Sequence, residues 1–162
     1  MNEPKVMNTI RTALRSRHRG LQALILSLVM AMPFTVHGYV VDTLSYALEG
    51  AEKWVSEKGG YTLRADFWQG ATASGKVHAI KHHLVKGNSY WFWCGTDAEN
   101  TVMAIAIYDK KTKKAVHTDV KKGKHWIGAR VKVPKSGTYL IAFKITTKDK
   151  SEADWAVAYA FK

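Results

Sequence analysis

Three histidines, His78, His82 and His83, form the densest group of metal-capable side chains in this 162-residue sequence. On a β-strand His78 and His82 share a face, but about 13 Å of chain separates them at 3.3 Å per residue. One metal ion does not bridge that gap, since a zinc site draws three or four ligands to about 2 Å. His117 and Asp119 do have the i, i+2 spacing that places two ligands on one strand face. A site joining them to His82, or to His125, is the metal-binding alternative. The simpler reading makes these histidines half-buried strand residues bonded to neighbours or water, with no metal or other cofactor.

Catalytic residue sets are missing. The sequence has no G-x-S-x-G, no H-E-x-x-H and no phosphate-cradling glycine loop. Asp66, Asp97, Glu99, Asp109 and Asp119 lie mostly in or beside turn signals, where aspartate caps the backbone. The single cysteine, Cys94, cannot form an internal disulfide, and its apolar setting suits a small buried hydrophobe better than a nucleophile. No catalytic residue is assigned, and no enzyme is expected.

Aromatic chemistry is plentiful by contrast. Residues 90–95 read YWFWCG, which on a strand puts Tyr90, Phe92 and Cys94 on one face and Trp91 and Trp93 on the other. Trp68, Trp126 and Trp155 add three more indoles elsewhere in the part of the chain after residue 38. Flat rings on a sheet face suit sugar binding because they lose little side-chain entropy, which makes Trp68, Trp91, Trp93 and Trp126 the candidate ligand-binding set. The competing role is burial, with the tryptophan face of residues 90–95 covered by a helix.

That helix is legible upstream. Between residues 42 and 58, Leu44, Ala47, Leu48, Ala51, Trp54 and Val55 recur at spacings of three and four, with Asp42 as N-cap and Gly59-Gly60 as the stop. After Gly60 the period drops to two, and Tyr61, Leu63, Ala65 and Phe67 are the expected buried face of a strand over residues 61–69. Residues 70–75, GATASG, read as a loop. Further strands are expected near residues 76–85, 90–95, 101–108, 114–120, 126–133, 138–145 and 155–162. Eight short strands without a βαβ rhythm predict a mainly β chain, an antiparallel β-sandwich of jelly-roll type with one amphipathic helix packed on it.

The N-terminus has a different character. Arg11, Arg15, Arg17, His18 and Arg19 precede residues 21–32, LQALILSLVMAM, and Val36 and Gly38 stand where a signal peptidase reads. The uncharged stretch is shorter than the roughly 20 residues a spanning helix needs. Residues 1–38 are therefore expected to be a cleaved signal peptide, followed by a helical segment at 39–60 and the sandwich at 61–162. The membrane would be met only during export, and the mature protein would be periplasmic or extracellular. The mature part keeps 20 basic and 12 acidic residues, net +8. Lys110, Lys111, Lys113, Lys114, Lys121, Lys122 and Lys124 crowd one stretch. Nucleic acid is not an expected partner for an exported chain. Anionic envelope polymers and acidic glycans are, unless these lysines serve only to keep turns and sheet edges soluble.

The segments LVKGNSY (84–90), IAIYD (105–109) and PKSGTYLIAF (134–143), with the aromatic closing strand, make residues 76–162 resemble bacterial pre-peptidase C-terminal domains. That resemblance implies an extracytoplasmic jelly-roll sandwich acting in binding or secretion. The helix at 42–58 and the histidine-bearing opening strand depart from the pattern, and no peptidase accompanies the module. The expected function is an exported, non-catalytic binding protein contacting a cell-envelope polymer, a glycan or another exported protein. The alternative is an inhibitor or accessory factor of a secreted or periplasmic hydrolase, a lysozyme or a peptidase.

Overall fold

The computed structural model describes residues 42–56 and 59–162. The predicted signal segment and the last two residues of the predicted helix lie outside the described residues. No helix among the described residues is long and apolar enough to cross a membrane.

Helix α1 spans Asp42–Val55. Nine strands follow: β1 (Thr62–Leu63), β2 (Trp68–Ala73), β3 (Val77–Leu84), β4 (Ser89–Gly95), β5 (Thr101–Asp109), β6 (Asp119–Lys122), β7 (Trp126–Lys132), β8 (Gly137–Thr147) and β9 (Glu152–Phe161). They form two antiparallel sheets. One runs β1-β9-β4-β7-β6, with β2 continuing along β9 after β1, and the other runs β3-β8-β5. The order β2-β9-β4-β7 facing β3-β8-β5 is that of a jelly roll, except that β6 pairs with β7 at the edge of the larger sheet. The fold class read from the sequence is the fold observed.

Period two explains both faces of the larger sheet. Tyr90, Phe92 and Cys94, with Ile127, Ala129 and Val131 of β7 and Val157 and Tyr159 of β9, meet Ile141, Phe143 and Ile145 of β8 in the main core. Their neighbours in sequence, Trp91, Trp93, Ala158 and Ala160, form a second core on the outer face under α1.

Two local expectations are corrected. The strand predicted over residues 61–69 is interrupted, and pairing resumes at Trp68 and runs through the segment predicted as a loop. Tyr61 is buried, but Leu63 and Phe67 are 37% and 40% exposed, and the half-buried residue after the break is Trp68. The phase of alternation is the same on both sides of the break, since Thr62 pairs with Phe161 and Trp68 with Val157, both on the main-core side. Leu63 pairs with Ala160 on the outer face, where Tyr61 is buried but Leu63 is not. The buried side of α1 is also narrower than its apolar stripe. Thr43, Ala47, Gly50 and Ala51 are buried, while Leu48 is 36% exposed. The sheet already carries two large indoles there, so the helix residues fully buried against it are small, and Leu44, Trp54 and Val55 pack at its margin, half-buried.

Candidate functional site

Trp91 and Trp93 are fully buried, their rings stacked at 5.6 Å with 9° between planes. Trp54 of α1 lies over Trp91, with ring centroids 4.7 Å apart. A Cβ on Gly128 would stand 2.5 Å from the Trp93 ring, so β7 supplies a glycine where the indole crosses it. Trp126 is half-buried at the other side of the helix and donates from Nε1 to Glu49 at 3.3 Å. Trp68 is on the opposite face of the sheet, against Tyr159 and His82. The four-tryptophan platform is therefore not assembled. Trp91 and Trp93 are core, because the helix needed an apolar surface and this sheet face provides it.

The histidines are likewise dispersed. His82 stands edge-on to Tyr159 at 4.7 Å and to Trp68 at 5.2 Å, in the seam between β3 and the β2–β9 edge. His78 packs on Phe143 and Trp155 in the same seam. Burial pushes the His82 imidazole below its ordinary pKa, an effect the nearby Asp66 carboxylate partly offsets. Asp66 itself accepts the Tyr159 hydroxyl at 2.8 Å, a bond that helps hold its carboxyl below the usual range. His117 lies 3.9 Å from Asp119, but Asp119 is engaged by Arg130, whose Nε donates to it at 2.9 Å. No group of three His, Cys, Asp or Glu side chains that could hold a metal ion occurs among the described residues. The set His82, His117 and Asp119 is not brought together. Cys94 is completely buried and unpaired, and burial pushes its thiol far above the ordinary range, away from nucleophilic chemistry.

The lysines, in contrast, are gathered. β3 ends beside the start of β8 and β5 ends beside Tyr139, which brings three loops to one end of the sandwich: residues 85–88, 110–118 and 133–136. Lys86, Lys110, Lys111, Lys113, Lys114 and Lys135 are all exposed there. The loops are braced by short-range chemistry. Asp109 Oδ1 accepts the backbone N–H of Lys111 at 2.7 Å and of Thr112 at 3.0 Å. Asp109 and Lys114 close the turn through backbone hydrogen bonds, with Lys113 in the left-handed region at φ 57°. The Tyr139 hydroxyl donates to the Lys135 carbonyl at 2.7 Å, and the Lys86 N–H donates to Ser136 Oγ at 2.8 Å. A hollow of about 560 Å³ opens between residues 109–112 and 135–138. Asp109 contributes one negative charge to this end: the N–H groups of Thr112 and Lys111 hold its carboxylate in the turn, and together with the nearby Lys135 they keep its pKa below the usual range. The carboxylates of Asp97, Glu99, Asp149, Glu152 and Asp154 lie toward the other end, where Glu99 meets Lys124 at 3.4 Å and His125 at 3.7 Å.

The density of lysine was visible in the sequence, whereas the convergence of Lys86 and Lys135 on residues 110–114 was not. It depends on which strand ends meet, and only the register of β3 and β5 on β8 decides that.

No protein-family model matches this sequence, and no curated protein matches it. Among solved structures it is similar to PliG of Aeromonas hydrophila, a periplasmic lysozyme inhibitor of g-type lysozyme, with a TM-score of 0.44 and 13% identity over 64% of this chain and 89% of that one.

Proposed function

We propose that this chain is an exported, non-catalytic binding protein that docks its lysine-rich loop end on another exported protein, and that the partner is a hydrolase which it inhibits. The observation that carries this reading is the braced cluster of Lys86, Lys110, Lys111, Lys113, Lys114 and Lys135 on three loops at one end of a rigid sandwich. Loops fixed before binding lose little conformational entropy on docking, which favours affinity. Glycoside hydrolases such as lysozymes commonly work with paired carboxylates in an open cleft. A protruding, preorganised cationic end complements such a cleft, and opposite charge accelerates encounter. The basic and apolar N-terminal sequence supports export, and the absence of sequence signatures for hydrolytic chemistry supports a binding role. The jelly-roll likeness to pre-peptidase C-terminal domains belongs to the same proposal, as a resemblance of extracytoplasmic binding modules.

Titration of lysozymes and secreted peptidases with purified protein tests this reading. Inhibition near one equivalent supports it. Retention on insoluble envelope polysaccharide without inhibition of any enzyme would replace it with polymer binding.

A further inference from the structure

The outer face of the larger sheet is only partly covered by α1, and its uncovered part is ordered by register. Trp91 of β4 pairs with Arg130 of β7, and Arg130 pairs with Asp119 of β6, so the three lie in one row across the strands. Trp54 overhangs the buried end of that row, and the Arg130–Asp119 ion pair forms a ridge at its open end. A hollow of about 420 Å³, lined by Trp54, Trp91, Asp119, Lys121 and Arg130, lies on one side of the ridge. A second hollow of about 430 Å³, lined by Ser89, His117, Asp119, Arg130 and Lys132, lies on the other. Both hollows fall within the size range of small-molecule sites.

We propose that these two hollows form one saccharide-binding groove, crossed by the Arg130–Asp119 ridge and suited to an oligosaccharide that carries carboxylates. The ion pair presents donors and an acceptor in fixed geometry, the pattern that recognises neighbouring ring hydroxyls. Trp54, half-buried, offers an indole face for the apolar side of a sugar ring. Arg130 and Asp119 cancel each other's charge. Lys121 in one hollow and Lys132 in the other have no salt-bridge partner among the described residues and supply one free cation on each side. That spacing of uncancelled charge selects acidic over neutral rings. The second hollow borders the lysine-rich end through Val116, His117 and Pro134, but none of Lys110, Lys111, Lys113, Lys114 and Lys135 lines either hollow, and the groove stands whether or not those loops inhibit an enzyme.

The test uses a galacturonate trimer as acidic probe and maltotriose as neutral control, followed by intrinsic tryptophan fluorescence and by NMR. The galacturonate trimer is expected to bind saturably, more weakly as salt rises, and maltotriose to bind at least about tenfold more weakly. Lys121→Glu with Lys132→Glu, both exposed, should lose at least about tenfold in affinity with an unchanged melting temperature. Trp54→Phe should keep the fold and lose most of the fluorescence response. Failure of the galacturonate trimer to saturate at millimolar concentration would overturn the proposal. So would equal binding of maltotriose, or binding that survives Lys121→Glu with Lys132→Glu but disappears on charge reversal of Lys110, Lys111 and Lys135.

Discussion

Gly95, at the end of β4, is in backbone contact with Thr43 in the first turn of α1: a Cβ on Gly95 would overlap the Thr43 carbonyl oxygen and reach the Ala47 nitrogen. Both neighbours are backbone atoms of the helix and cannot turn aside. Gly95→Ala is therefore expected to push α1 off the sheet and cost about 1–3 kcal/mol, as overpacking does. Urea denaturation checks the loss, and a red shift of tryptophan emission would show that the indoles under the helix have met water.

Trp91 is the centre of the same interface. It is fully buried between Trp93 and Trp54, with the small Ala160 opposite it on β9. Trp91→Ala should behave as a core truncation, costing about 3–5 kcal/mol. A denaturation midpoint equal to that of the unaltered protein would mean that the helix does not rely on this face.

Cys94 is sealed between the sheets. A thiol reagent should label the native protein slowly and the denatured protein at once, because the thiolate is both inaccessible and disfavoured. Rapid native labelling would contradict the packing described for β4.

His82 should make stability depend on pH. Its folded-state pKa is lowered from the ordinary 6.5, chiefly by burial, so the unfolded chain binds the proton more readily. Its contribution is fully present above about pH 6.5 and is lost as pH falls below that value toward the folded pKa. Asp66, Asp109 and Asp119, whose pKa values lie below 3.8, lose their contributions only at more acidic pH. His82→Phe, which keeps a ring against Tyr159 and Trp68, should flatten urea midpoints measured between pH 7 and 5. An unchanged slope would place the titration elsewhere.

The sequence was most legible where one face of an element meets one environment. β5 and β8 alternate strictly, with Ile105 and Ile107, then Tyr139, Ile141, Phe143 and Ile145 turned inward, and their pattern alone locates the core. β4 read as apolar on both sides because it truly serves two cores, and the helix stripe explained the second. The reading failed at residues 61–75, where pairing with β9 stops after Leu63 and resumes at Trp68 without any proline or glycine between them to announce it, and where the outer face buries Tyr61 but not Leu63. It also failed for Leu48, since a stripe states which residues are apolar but not how close the backbone comes. The lysine end and the Trp91–Arg130–Asp119 row remained hidden for a common reason. Each joins residues far apart in sequence through strand register, which local patterns do not encode.

The inhibitory role of the lysine-rich end is tested most directly by comparing the protein with a Lys110→Glu, Lys111→Glu, Lys135→Glu variant in stoichiometric titration of a lysozyme. These side chains are exposed, so the variant should fold and melt as the unaltered protein does. Reversing three cations at a charge-complementary interface should weaken inhibition by at least about a hundredfold and reduce its sensitivity to salt. Inhibition of undiminished strength by the variant, with the same salt dependence, would contradict the assignment of this end as the docking surface.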